Sequence, residues 1–126
     1  LHPSLRNDSR IELHEKTDIR NFKTGDSIDL VVIDVSFISL REILPTVAKL
    51  SSAKTQIIAM VKPQFEAGDE IKHKGVIKND SMRRNILKVF ENWTQKLFRI
   101  VGKADSEVAG AKGNRERFYS LKLLQK

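Results

Sequence analysis

The sequence predicts an α/β domain, because two buried strands flank an amphipathic helix. Residues 30–35 and 56–61 are short apolar runs rich in β-branched side chains, and the first is broken only by Asp34. Such runs are typical of strands buried on both faces of a parallel sheet. The two strands and the segment between them span residues 30–61. A βαβ unit of this length should hold its strands parallel with a right-handed crossover.

The helix between the strands is predicted from its start signal and its apolar face. Ser39 and Glu42 have the spacing of a capping box. The apolar positions follow the helical repeat: Leu40, Ile43, Leu44, Val47 and Leu50. Pro45 should bend the helix or remove one hydrogen bond, and residues 51–52 should end it.

The other elements follow from weaker patterns. Residues 11–14 alternate and predict a short strand. A second helix should begin at Asp80 or Ser81, and Trp93 on its apolar stripe should pack in the core. That stripe comprises Met82, Ile86, Val89, Phe90, Trp93 and Leu97. Residues 98–101 and 117–124 are predicted strands, and residues 65–79 and 102–114 are predicted loops.

The charge is unevenly distributed along this 126-residue chain, whose length suits one domain. Residues 1–71 carry nine Lys and Arg against eleven Asp and Glu, a net of −2, whereas residues 72–126 carry fourteen against five, a net of +9. A basic half of this kind suits a polyanion such as RNA. The alternative is an ordinary solvated surface.

Several classes of protein are disfavoured. Cysteine is absent, which excludes disulfides and thiolate metal sites and favours an intracellular, cytoplasmic protein. The three histidines, His2, His14 and His73, share no metal-ligand spacing, so no metal is expected. No apolar run approaches the roughly 20 residues of a membrane span. Because the chain begins with Leu1, we expect a piece of a longer protein.

Three charged residues should meet at one edge of the predicted sheet. Asp34 and Lys62 lie at the carboxyl ends of the two parallel strands, where ligands bind in open α/β sheets. Glu116 precedes the last strand, so it would lie beside them if that strand is antiparallel. A lysine held by two carboxylates can orient a hydroxyl or stabilise an alkoxide. The alternative is an ion-pair network that ties the strand ends together.

Five collinear blocks carry a resemblance to a known family. They are Asp34-Val-Ser-Phe-Ile-Ser-Leu40, Ile43-Leu-Pro45, Val61-Lys-Pro-Gln-Phe-Glu-Ala-Gly68, Gly75-Val-Ile-Lys-Asn-Asp80 and Gly110-Ala-Lys-Gly-Asn-Arg-Glu116. Together they resemble the TlyA family of FtsJ-like methyltransferases, often labelled haemolysins, over about residues 10–124. The resemblance implies a Rossmann-like methyltransferase fold. Its sheet would be mostly parallel with an antiparallel last strand, helices would cover both faces, and the fold would be incomplete at its amino-terminal side.

The same resemblance implies 2′-O-methylation of ribosomal RNA with S-adenosylmethionine as cofactor. The family uses a Lys-Asp-Lys-Glu tetrad, whose last three members match Asp34, Lys62 and Glu116. Lys62 would activate the ribose 2′-hydroxyl, and the two carboxylates would hold it. The implied cofactor contacts are Asp18, Asp34, Ser36 and Phe37. The implied RNA contacts are Lys72, Lys74, Arg83, Arg84, Lys112 and Arg115.

The resemblance also sets expectations for the extent and partners of the chain. Residues 1–126 match the carboxyl-terminal two-thirds of the methyltransferase domain. The first tetrad lysine, the glycine-rich cofactor motif and an S4-type RNA-binding domain would lie upstream. We therefore expect this chain to be inactive alone, with an exposed sheet edge that could pair in a homodimer. The rival hypotheses are a non-catalytic RNA- or ribosome-binding module and, less favoured, a cytolysin.

Overall fold

In the part of the chain that the structure describes, four strands form a single sheet with helices between them. A computed structural model describes residues 1–67, 80–108 and 114–124. The elements are α1 (Pro3–Arg6), a 3-10 helix (Ile19–Asn21), β1 (Leu30–Ile33), α2 (Leu40–Leu50), β2 (Gln56–Val61), α3 (Pro63–Glu66), α4 (Asp80–Thr94), β3 (Phe98–Asp105) and β4 (Arg117–Leu123). The strand order in the sheet is β1-β2-β4-β3.

The strand directions confirm the predicted α/β arrangement. β1 and β2 pair in parallel, while β4 pairs antiparallel to both β2 and β3. Three strands therefore share one direction and the last strand opposes them, as expected. The register joins Val61 at the end of β2 to Arg117 at the start of β4. The carboxyl ends of β1 and β2 and the amino end of β4 consequently meet at one edge of the sheet.

The core lies between the sheet and the helices α2 and α4. Its buried members include Leu44 and Val47 of α2, Ile57 and Ala59 of β2, Phe90 of α4, and Tyr119 and Leu121 of β4. Trp93 packs against this cluster, as predicted. The apolar stripe of α4 is rotated from the predicted one, because Leu87 is 1% exposed whereas Val89 is 45% exposed.

Three local predictions were wrong. Residues 11–14 are not a strand, and Ile11 and Leu13 lie at the surface with no strand beside them in the described ranges. β3 continues to Asp105 through the predicted loop, because β4 supplies pairing partners up to the Asp105–Arg117 pair. The predicted loop at residue 65 begins inside the short helix α3; residues 68–79 lie outside the described ranges.

The amino terminus of α2 is capped differently from the prediction. The Ser39 hydroxyl accepts a hydrogen bond from the Arg41 backbone N–H at 3.1 Å. Its partner is not Glu42, which lies at the surface, but Glu66 of α3. The Ser39 hydroxyl donates to Glu66 Oε2 at 2.5 Å, and the Leu40 backbone N–H donates to Glu66 Oε1 at 2.7 Å. A tertiary contact therefore replaces the expected local one.

Candidate active site

The centre of the candidate site is an ion pair between the ends of two neighbouring strands. Asp34 directly follows β1 and Lys62 directly follows β2. Because Pro63 disfavours helical backbone at the preceding residue, Lys62 stays extended, with φ −107° and ψ 102°. Lys62 Nζ lies 2.8 Å from Asp34 Oδ1 and donates to Ser36 Oγ at 3.0 Å.

The two members of the pair differ in their access to solvent. The Lys62 side chain is only 15% exposed, whereas that of Asp34 is 62% exposed. The ammonium is therefore held in a fixed place with two oxygen partners, while the carboxylate keeps a face open to a ligand. A fixed cation of this kind can orient a hydroxyl group or stabilise negative charge that develops on it.

Glu116 lies close to this pair in register. Val61 pairs with Arg117 in the antiparallel ladder, so one further step brings Lys62 opposite Glu116. Glu116 is 8% exposed, and its backbone carbonyl accepts from the Ser106 backbone N–H at 2.9 Å. Within the described ranges, the ion pair of Lys62 that falls inside 4.0 Å is the one with Asp34. Glu116 is thus a buried neighbour of Lys62 rather than its ion-pair partner.

The loop between β1 and α2, which carries Asp34 and Ser36, also presents an aromatic ring, that of Phe37. Phe37 has a φ of 63° and is 90% exposed. A left-handed backbone is unfavourable for a bulky residue by roughly 1–2 kcal/mol, so the surrounding loop must hold it. The centroid of the Phe37 ring lies 5.1 Å from that of the Phe65 ring. Because Phe37 is otherwise exposed, most of its ring is open to stack on a planar group. Ser36 uses its hydroxyl to accept from Lys62.

Asp18 lies on a different segment and already has partners. Its carboxylate accepts from the Arg20 backbone N–H at 2.8 Å and from Arg20 Nη2 at 2.7 Å. The side-chain and backbone hydrogen bonds from Arg20 lower the pKa of Asp18 to about 2. This carboxylate therefore begins the 3-10 helix as a cap, and its role in cofactor binding stays a prediction.

The predicted RNA-binding residues fall into three groups. Lys72, Lys74 and Lys112 lie outside the described residues. Arg84 and Arg115 are exposed. Arg83 is different, because its side chain is only 12% exposed and its Nη2 lies 2.8 Å from Asp105 Oδ1. Arg83 ties α4 to β3, which leaves less of its guanidinium for a phosphate.

Sequence reasoning missed a cluster of charged and polar residues between α4 and the β3–β4 hairpin. Arg117 Nε donates to Asp105 Oδ1 at 2.8 Å, and Arg117 Nη1 lies 3.6 Å from Glu91 Oε2. Glu91 also accepts from the Tyr119 hydroxyl at 2.8 Å and from Lys103 Nζ at 3.0 Å. The cluster was missed because residues 102–114 were predicted to be a loop, whereas β3 pairs with β4 as far as Asp105 and Arg117.

Comparisons with known proteins place this geometry in context. The chain is 42% identical over 122 residues to the 23S rRNA (cytidine-2′-O)-methyltransferase TlyA of Campylobacter jejuni, covering 94% of this chain and 47% of that protein. A solved structure from Streptococcus thermophilus, named as a hemolysin, matches with a TM-score of 0.87 and 33% identity over 98% of this chain and 46% of that one. The chain thus spans about half the length of the curated relatives that it matches.

A more distant structure supports the fold. The N-methyltransferase NodS of Bradyrhizobium japonicum, solved with S-adenosyl-L-homocysteine, matches with a TM-score of 0.54 at 13% identity, over 86% of this chain and 53% of that one. Among the helices that the structure describes, none has the length and apolar character needed to cross a membrane. The sequence model of the FtsJ-like methyltransferase matches residues 1–123. This chain therefore belongs to the FtsJ-like methyltransferase family.

Proposed function

We propose that the protein carrying this chain methylates ribose 2′-hydroxyl groups of ribosomal RNA with S-adenosylmethionine. The observation that carries the proposal is the mostly buried Lys62 ammonium, held by Asp34 and Ser36 at the carboxyl edge of the parallel strands. The name of the C. jejuni relative supports ribosomal RNA as the substrate. Because ribosomal RNA is the proposed substrate, we also propose a cytoplasmic location.

The residues at this edge fit the cofactor. Asp34 offers an exposed carboxylate as a hydrogen-bond acceptor, and Phe37 offers an exposed ring against which an adenosine group can pack. Ser36 and Asp18 are the further proposed contacts. When bound, S-adenosylmethionine supplies a methyl group on a positively charged sulfur.

The chain's own residues prepare the hydroxyl. Lys62 Nζ is proposed to lie within hydrogen-bond distance of the ribose 2′-oxygen and to stabilise the negative charge that develops there. Once it has lost its own proton, the same nitrogen can accept the proton of the hydroxyl. Asp34 fixes the ammonium at 2.8 Å, and the buried Glu116 adds negative charge on the β4 side of the lysine. The exposed Arg84 and Arg115 are proposed to contact RNA phosphates. Lys72, Lys74 and Lys112, which lie outside the described residues, are proposed to do the same.

The test is transfer of labelled methyl from S-adenosylmethionine to purified ribosomal subunits by the full-length natural protein. Lys62→Ala should lower the transfer rate by roughly 10²- to 10⁴-fold, as expected for loss of a general acid–base group. Lys54→Ala is the matched control, because it removes an exposed lysine just before β2, away from the site. Unchanged transfer by Lys62→Ala would refute the catalytic assignment. RNA binding without transfer by the unmodified protein would favour the non-catalytic binding module.

The exposed edge of the sheet suggests a second partner. β1 is the outermost strand of the described sheet, and Leu30 and Val32 of this strand are 54% and 69% exposed. An unpaired apolar edge is a template for another strand, so we propose that residues 1–126, without the upstream part of the fold, form a homodimer through β1. Sedimentation of this 126-residue chain tests the proposal; a monomer at all concentrations would count against it.

A further inference from the structure

Two segments carry the candidate site, and the Lys62 contacts join them at only one end. The first segment leads from β1 to α2 and contains Asp34 and Ser36, and the second leads from β2 into α3 and begins with Lys62. The aromatic contact between them, Phe37 with Phe65, lies at the surface and offers little constraint. The position of Lys62 relative to Asp34 therefore depends on the contacts that join the β1–α2 loop to α3 farther along both segments.

Glu66 holds that other end. It lies one helical turn after Lys62, at the end of α3, and its side chain is 1% exposed. Its carboxylate accepts from the Ser39 hydroxyl at 2.5 Å and from the Leu40 backbone N–H at 2.7 Å. Ser39 lies three residues after Ser36. Lys62 therefore contacts the start of the β1–α2 loop, at Asp34 and Ser36, and Glu66 contacts its end, at Ser39.

The environment of Glu66 favours a fixed carboxylate. A buried charge is costly unless it is paired and hydrogen-bonded. Glu66 meets the positive end of the α2 dipole, where an anion is stabilised. Arg41 Nε lies 3.6 Å from Glu66 Oε2, and this nitrogen is buried with no hydrogen-bond partner among the described residues. Moving Glu66 would therefore disturb the start of α2 and the loop that precedes it.

We propose that Glu66 is a positioning residue for methyl transfer, because its buried carboxylate fixes the Asp34–Ser39 loop against the Lys62 segment and so sets the Lys62–Asp34 geometry. This inference rests on the proposed function of Lys62. Its consequence is specific: loss of the Glu66 charge should displace Lys62 from its two oxygen partners while leaving the RNA-binding surface in place. The rate of transfer should fall and the affinity for ribosomal subunits should not.

The experiment measures methyl transfer by the full-length natural protein carrying Glu66→Gln. We expect kcat to fall roughly 10- to 100-fold, the scale of a misplaced catalytic group, with KM for ribosomal subunits changed by less than about 3-fold. Glu42→Gln is the matched control: it makes the same charge change at the start of the same helix, but its side chain is 57% exposed. This control should leave kcat within about 2-fold of the unmodified protein.

A double mutant separates positioning from other roles. If Glu66 acts through Lys62, Glu66→Gln should cause no further loss in a Lys62→Ala background. A normal kcat for Glu66→Gln, or an equal loss in both backgrounds, would overturn the inference while Lys62→Ala alone still supports the proposed function. Full activity of Lys62→Ala would instead overturn the proposed function and this inference with it.

A second variant covers the case in which Glu66→Gln does not fold. Ser39→Ala removes the hydrogen bond from the Ser39 hydroxyl to Glu66, and with it the cap bond that this hydroxyl accepts from the Arg41 backbone N–H, but keeps the bond from the Leu40 backbone to Glu66. We expect a several-fold loss of kcat, no change in KM and a native circular dichroism spectrum. An unchanged kcat for a folded Ser39→Ala variant would contradict the inference.

Discussion

Replacing Tyr119 by phenylalanine tests the buried cluster between α4 and β4. The Tyr119 hydroxyl donates to Glu91 Oε2 at 2.8 Å, and Tyr119 is fully buried. The ring packs on Phe90 with centroids 5.5 Å apart, and phenylalanine keeps that contact. A hydrogen bond to a charged acceptor contributes about 1.5–3 kcal/mol. Since Glu91 retains Lys103 and Arg117 as partners, we expect the lower end, about 1.5 kcal/mol.

The assay is thermal and urea unfolding followed by circular dichroism. For a chain of this length, a loss of about 1.5 kcal/mol should lower Tm by roughly 5 °C. Ser120→Ala is the control, because it removes a hydroxyl from the next position of β4 and should change the free energy of unfolding by less than about 0.5 kcal/mol. A Tyr119→Phe variant as stable as the control would refute the reasoning.

The ionisation of Tyr119 gives an independent check. Burial raises the pKa of Tyr119 well above its ordinary value, and the hydrogen bond to Glu91 raises it further. A group whose pKa is raised by folding stabilises the protein fully below its unfolded pKa, here about 10, and loses that contribution as the pH rises further. Tyr119 is the only tyrosine in residues 1–126, so the tyrosinate absorbance of this 126-residue chain reports it alone. Absorbance rising near pH 10 with the native circular dichroism spectrum intact would contradict this account.

Two further predictions concern charged residues. Asp105→Asn should lower the free energy of unfolding by about 1 kcal/mol, a value discounted for solvent screening because a third of the side chain is exposed. Hydrogen bonds from Arg117 and Arg83 lower the pKa of Asp105 to about 2, so this contribution is present above about pH 4 and is lost as the pH falls through 2. Acid unfolding of the unmodified protein and of the Asp105→Asn variant checks it, and equal stability of the two at neutral pH would contradict the prediction. Arg84→Gln should reduce the slope of log affinity for RNA against log salt by about one, whereas Arg99→Gln, on β3, should not; equal slopes would remove Arg84 from the RNA surface.

Local patterns in the sequence predicted the elements that position the site. The apolar runs of β1 and β2 and the periodic face of α2 are properties of neighbouring residues. Each element formed at its predicted place, although β1 ends at Ile33, two residues before the end of its apolar run. The end of each strand then fixed the places of Asp34 and Lys62 along the chain. Their common edge followed from the parallel pairing that a βαβ unit requires.

Longer-range contacts were beyond the reach of those patterns. Ser39 and Glu42 have the spacing of a local cap, yet Glu66 occupies that position from 27 residues away. Arg83, at the start of α4, was predicted to contact RNA, yet it donates a hydrogen bond to Asp105, 22 residues away in the sequence. In both cases a charged side chain with little exposure, Glu66 or Arg83, pairs with a residue that is distant in the sequence and lies next to it only in the folded chain.

By itself, the sequence determined the fold class, the strand ends that carry Asp34 and Lys62, and the family to which the chain is similar. Only the tertiary structure decided that the Lys62 ammonium is held by Asp34 and Ser36, that Glu116 is a buried neighbour rather than an ion-pair partner, and that Glu66 caps α2. The physical reason is that secondary structure depends on the local repeat of apolar residues, whereas the partner of a buried charge depends on which segments the fold packs together.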